Sequence, residues 1–268
     1  MIQEQNYWLT TVDMPRTDLS RALPETADVA VIGAGFTGLS AARTLAAKGA
    51  KVVVLESQTI GWGASSRNGG MVLTGMKLPV NKLISMYGRE RTQKMYAASL
   101  ASIACVEQIV RAEHIACDLA RCGHLEVACK QAHFDDYTRQ VEVMGREFHH
   151  ALKIVARKDL RSEIGSDIYF GGMVDEISVG LNPARYVAGL GAAALRSGAC
   201  VHEKTRVERL ERERRGGSSG WRLQTSRGPT WARDVFVSTS GYTSTATPAL
   251  QKKIIPAARL TRNIVGRS

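Results

Sequence analysis

The chain predicts an α/β fold built from two interlocked lobes, and three observations carry that expectation. A valine-rich run at Ala27–Ile32 (ADVAVI) leads directly into glycines at positions 33, 35 and 38. A second run, Lys51–Leu55 (KVVVL), ends on Glu56. Residues 81–180 then change to helical stretches with a few short strands, before strand-type runs return near the C-terminal end. The expected organisation is an N-terminal arm at 1–26, a Rossmann-like lobe split over 27–80 and 181–245, and an inserted α+β lobe at 81–180 and 246–268.

Ala27–Ile32 is short, apolar and bounded by polar residues, as a buried parallel strand should be. Gly33, Gly35 and Gly38 then fit G-x-G-x-x-G. The first allows a tight turn, the second lets backbone approach a diphosphate, and the third permits close packing of helix on strand. Phe36 and Thr37 open the helix that follows, whose first-turn N–H groups present partial positive charge to phosphate oxygens. The segment through Ala47 is rich in alanine and leucine, and Gly49 supplies the C-terminal stop. Lys51–Leu55 delivers Glu56 beyond the second strand, where a carboxylate accepts hydrogen bonds from ribose hydroxyls and disfavours a 2′-phosphate. The motif alone leaves FAD and NAD open, since both contain an ADP half.

Directly after Glu56 comes SQTIGWGASSRNGGMV, whose small residues and backbone N–H groups suit an extended ligand. With the glycine motif before it, IGWGASSRNGGM resembles the FAD-dependent oxidoreductases of the D-amino-acid-oxidase-like (DAO) family, in particular the γ-glutamylputrescine oxidase-like amine oxidases. The resemblance implies FAD as cofactor, with Ser65, Ser66, Arg67, Asn68, Gly69 and Gly70 along its diphosphate, ribityl chain and ring. An arginine can pair bidentately with phosphate, and glycines let backbone lie against a flat ring. Asn182-Pro183 opens the next helix, ARYVAGLGAAALRSGA, because asparagine caps and proline suits the first helical position. The resemblance then expects a short strand at Ala199–His202, with the backbone of Val207 at the adenine edge. Asp234–Thr239 (DVFVST) reads as another buried strand leading into SGYT, where the resemblance puts Gly241 beside the cofactor.

The middle of the chain reads as helices from Val80 to about Asp118, a strand at Gly123–Ala128, a helix at Gln131–His150, and two strands around a turn in IYFGGMVDEISVGL. Met86, Met95 and Tyr96 are expected in the core. Cys117, Cys122, His124 and Cys129 lack paired C-x2-C spacing, so no metal site is expected. The six histidines suggest no catalytic pair, and hydrolysis lacks a G-x-S-x-G elbow. The formal charge of +11 is spread out, and its densest run, Arg206–Gly217, is interleaved with glutamates like a solvated hairpin edge. No nucleic-acid motif is present, and no apolar run reaches the ~18 residues of a membrane span. Five dispersed cysteines and a polar N-terminus without a secretion pattern point to the cytoplasm.

By resemblance, the protein is expected to oxidise the C–N bond of an amine or amino acid by hydride transfer to flavin, with oxygen or another electron acceptor completing the cycle. The same resemblance expects a longer chain, so the substrate lobe is expected to be incomplete, and no catalytic residue is assigned. The alternatives are a shortened, non-catalytic remnant that keeps only a dinucleotide-binding lobe, and an NAD-dependent dehydrogenase.

Overall fold

The computed structural model describes residues 5–238. In chain order its strands and helices are β1 (Thr26–Ile32), α1 (Phe36–Ala47), β2 (Val52–Leu55), β3 (Met71–Val72), α2 (Val80–Tyr87), α3 (Arg89–Ala112), β4 (His124–Val127), α4 (Gln131–Phe148), β5 (Lys153–Ala156), β6 (Gly171–Asp175), β7 (Val179–Gly180), α5 (Pro183–Arg196), β8 (Cys200–His202), β9 (Val207–Arg215), β10 (Ser218–Thr225) and β11 (Gly228–Val237). Among the described residues they fall into two units, one of 5–69, 113–117 and 183–238, the other of 70–112 and 118–182. Gly241 and the expected segment 246–268 lie outside the described residues.

The first unit is organised by a six-stranded sheet in the order β8-β2-β1-β11-β10-β9. Its first four strands are parallel, with Val31 opposite Val54 on one side and Phe236 on the other. Branched side chains suit a strand covered on both faces, and every residue of β2 is buried. The sheet core gathers Ala30, Ile32, Val53, Leu55, Leu223 and Val235. Helices α1 and α5 pack together within this unit. From β11 the sheet turns antiparallel through β10 to β9, which closes on a hairpin at Gly216 and Gly217, both at positive φ. The glutamates and arginines of β9 leave most of that edge exposed, a charge pattern that discourages pairing with another chain. Strand β11 begins well before the expected Asp234, because the hairpin turn falls at Ser226–Arg227 and the strand from Gly228 onward pairs with β10 and then also with β1.

The second unit contains a three-stranded antiparallel sheet, β4-β6-β5, and the short pair β3–β7. Gly88, at φ +78°, separates α2 from α3, and His149 in the left-handed region ends α4. Strand β5 was not expected from the sequence; its burial is slight, so it lacks a strong hydrophobic alternation. Met86, expected in the core, is 49% exposed, whereas Tyr96 is buried. Residues 70–80 group with this unit rather than with the first, to which the expected boundary at 80 assigned them. The reason is local: the Gly75 N–H donates to Ser99 Oγ at 2.9 Å, the Thr74 hydroxyl donates to Asp175, and β3 pairs with β7. Conversely, 113–117 belongs to the first unit, where Glu113 pairs with Arg43 and Arg196.

Candidate functional site

The candidate site lies in the first unit, where β1 and β2 end. The Gly33 N–H donates to the Leu55 carbonyl at 2.9 Å, which joins the two strand ends. Gly33 has φ +102°, a conformation that side chains resist. The motif positions at 35 and 38 are closed to side chains by contact instead. A Cβ on Gly35 would lie 2.7 Å from Ser65 Oγ, and one on Gly38 would lie 2.0 Å from the Gly33 carbonyl oxygen. Gly35 caps α1 without a side-chain acceptor. In the first turn, the Phe36 N–H donates to Ser65 Oγ at 3.0 Å. The N–H groups of Thr37 and Gly38 have no protein acceptor among the described residues. Open donors at a helix N-terminus attract an anion.

Glu56 sits across the tip of this turn. Its Oε2 accepts from the Ala34 N–H at 2.8 Å, and its Oε1 accepts from the Gln58 N–H at 2.8 Å. Its main chain is bound on both sides, through N–H to the His202 carbonyl at 2.9 Å and through its carbonyl from the Thr205 N–H at 2.7 Å. The side chain is neither fully buried nor fully exposed, so its remaining lone pairs can meet a ligand's hydroxyls.

The loop that follows is tied to the glycine turn at Gly61, whose N–H donates to the Ala34 carbonyl at 2.9 Å. Ser65 faces the helix start, as described. Ser66 is fully buried, and its hydroxyl and carbonyl both accept from Asn6 Nδ2. Arg67 is exposed, with its guanidinium 4.4 Å from the Trp62 ring centroid. Asn68 Nδ2 donates to the carbonyls of Ala64 and Ser65, and Gly69 is exposed. Gly70, buried at positive φ, belongs to the second unit. Val207 is buried at the start of β9, opposite Thr225. Thus Gly33, Gly35, Phe36, Thr37, Gly38, Glu56 and Ser65 gather where β1 and β2 end, whereas Ser66 anchors the loop to Asn6.

Three residues of this site were not expected from the sequence. Asn6 anchors the loop from the N-terminal arm, and Glu203 accepts from the Ile60 N–H at 2.6 Å. Ser238 Oγ donates to the Gly33 carbonyl at 3.1 Å. None belongs to a motif; only Glu203, an acid just past a short strand, carried a signal that could have been read. Nearby His202 is buried, and neither ring nitrogen has a partner among the described residues. Burial, and then the charges of Arg227 and Arg21, hold its pKa below the ordinary histidine value.

The glycine cradle, the open helix donors and the carboxylate beside them fit the diphosphate and ribose of an adenine dinucleotide. The sequence profile of a family described as FAD dependent oxidoreductase (DAO) matches residues 28–263. The chain belongs to the DAO family. Among related proteins, "Probable oxidoreductase OrdL" of Haemophilus influenzae is 32% identical over 87% of this chain and 54% of its own length. Gamma-glutamylputrescine oxidoreductase of Escherichia coli is 28% identical over 86% of this chain and 53% of its own. This DAO chain therefore spans about half the length of the curated relatives it matches. Its fold is also that of glycine oxidase from Geobacillus kaustophilus, with TM-score 0.66 and 23% identity over 82% of this chain and 57% of that one. L-Amino acid deaminase from Proteus myxofaciens gives TM-score 0.70 and 17% identity over 91% of this chain and 52% of that one. The DAO resemblance and the α/β fold class read from the sequence are both borne out. No described helix is long and apolar enough to cross a membrane, and no described group of three or more His, Cys, Asp or Glu could hold a metal ion.

Proposed function

We propose that the first unit binds FAD and that the chain serves oxidation of the C–N bond of a small amine or amino acid. The observation that carries this reading is the glycine turn itself: open N–H donors of Thr37 and Gly38, the Glu56 carboxylate, and no room for side chains at Gly35 and Gly38. There the backbone at Gly33 and Gly35 and the N–H groups of Thr37 and Gly38 hold the diphosphate, with Phe36 fixing the helix start beside it. Glu56 takes the adenosine ribose, and the main chain of Val207 takes the adenine edge. Ser65, Ser66, Arg67, Asn68, Gly69 and Gly70 serve the middle and ring end of the cofactor, with Gly241 beside them. Ser65 does so directly and Ser66 by keeping its neighbour in place. When bound, FAD supplies the hydride acceptor for C–N oxidation to an imine that water hydrolyses, with oxygen or another acceptor taking the electrons. The cytoplasm is the compartment that goes with this reading.

A second reading, a dinucleotide-binding lobe that turns nothing over, draws on the site itself, where every assigned residue serves the cofactor and none the substrate. Titrating the purified chain with FAD, followed by amine addition, separates the two. A visible flavin band that bleaches with an amine or amino acid is the expected result. A band that never bleaches with any amine favours the second reading, and a colourless chain that takes up no added FAD overturns the first and leaves the second.

A further inference from the structure

The N-terminal arm touches both ends of the cofactor loop. At one end, the Thr17 hydroxyl donates to Glu203 Oε2 and the Ile60 N–H donates to Glu203 Oε1, both at 2.6 Å. At the other, Asn6 Nδ2 donates to the Ser66 carbonyl at 2.9 Å and to Ser66 Oγ at 3.0 Å. Between these anchors the Thr11 carbonyl accepts from Arg185 Nε at 3.1 Å, and Pro15 lies close against Gly191 of α5. Asn6 also caps its own short 3-10 turn, Tyr7–Thr11, with Oδ1 accepting from the Trp8 N–H at 3.1 Å. Its carboxamide is thus used at both ends: the oxygen orders the arm and the nitrogen holds the loop. An asparagine does both at once, whereas an aspartate of the same length keeps the cap and loses the donation.

We infer that Asn6 is a positioning residue for cofactor binding, acting through the 64–66 turn. This rests on the reading that the first unit binds FAD. Ser66 is fully buried, so holding it in register also holds Ser65, whose hydroxyl meets the Phe36 N–H at the helix start. The arm therefore sets the distance between the loop and the donors of α1 before any ligand arrives, which lowers the ordering cost of binding. Glu203 does the same at the Ile60 end, with Thr17 steadying its second oxygen.

The test is FAD affinity of the full 268-residue chain, read by quenching of flavin fluorescence, with melting of the apoprotein measured in parallel. Asn6→Asp should bind FAD roughly tenfold more weakly and release it faster, and Thr17→Val should lose roughly threefold. Because Asn6 acts through Ser65, Asn6→Asp should have little further effect in a Ser65→Ala background. Unchanged affinity in both single variants overturns the inference while leaving FAD binding intact. So does an Asn6→Asp loss that is just as large without the Ser65 hydroxyl. Should Asn6→Asp fail to fold, Asn6→Ser, which keeps a capping oxygen but is too short to reach Ser66, measured with and without Ser65→Ala, decides by the same criterion. A wild-type chain that takes up no FAD overturns this inference together with the reading beneath it.

Discussion

Two carboxylates, one in each unit, hold strand ends and loops together in opposite ways. In the first unit Glu56 is partly open and accepts chiefly from two main-chain N–H groups, those of Ala34 and Gln58. In the second, Asp175 is 7% exposed and closed in on all sides. Its Oδ2 takes the hydroxyls of Thr74 and Ser178, and its Oδ1 takes the Ile177 N–H at 3.0 Å and stands 3.2 Å from His150 Nε2. Burial alone would raise the Asp175 pKa, but the hydrogen bonds from His150, Thr74 and Ile177 outweigh it and hold the carboxyl well below the usual range. A carboxylate whose acceptor sites are spent on its own protein cements structure. One that retains free lone pairs at an open edge can serve a ligand. The difference between the two units is therefore one of saturation rather than of residue type.

The most severe way to break the open site is Gly38→Ala, because the new methyl group meets the Gly33 carbonyl oxygen and neither backbone can yield easily. A loss of about 3 kcal/mol or more in urea unfolding is expected, with FAD uptake lost as well. Next comes Asp175→Asn, which turns an acceptor into a mixed group amid donors and should cost about 2–3 kcal/mol at neutral pH. The same variant tests the sign of its pH dependence. Because the folded carboxyl is depressed, its contribution is complete above the unfolded value of about 3.9 and is lost as pH falls below it. Stability of the wild type should thus drop more steeply below about pH 4 than that of Asp175→Asn.

Glu56→Gln sharpens the contrast from the other side. It should weaken FAD binding roughly tenfold to a hundredfold in a fluorescence titration while costing less than about 1 kcal/mol of folding stability. A Glu56 variant that unfolds the chain but, once refolded, binds FAD normally would make the two carboxylates equivalent and defeat the distinction. The smallest effect belongs to His202, which is buried beside the Glu56 strand end with its pKa lowered. Below about pH 6.5 the unfolded chain takes up a proton that the folded chain resists, so stability declines as pH falls through that range. His202→Leu should flatten that decline, by at most about 1 kcal/mol between pH 7 and 5.5 in paired denaturation curves.

The open site was far more legible in sequence than the closed one. Gly33, Gly35, Gly38 and Glu56 stand within a short βαβ unit, where each residue type answers a local demand of turn, helix start or strand end. Asp175 lies inside a segment that reads only as two strands around a turn, and His150, just beyond the end of α4, is one of six histidines whose spacing suggests no catalytic pair. The Ile177 and Ser178 contacts of Asp175 are local, but Thr74, Tyr96 and His150 come from separate elements, and no spacing rule links those. Met86 failed for a related reason: helical periodicity says which residues share a face, not whether anything covers that face.

By itself, then, the sequence determined the parallel strand core, the glycine turn that opens α1, the charged hairpin edge and the family, because these follow from chain-local sterics and patterning. Tertiary structure alone decided that Asn6 reaches Ser66, that Glu203 grips the start of the loop, and that Asp175 gathers four donors. Apart from the Ile177 and Ser178 bonds to Asp175, those contacts join residues tens to more than a hundred positions apart, and such pairings are chosen by the packing of whole elements, which no local pattern encodes.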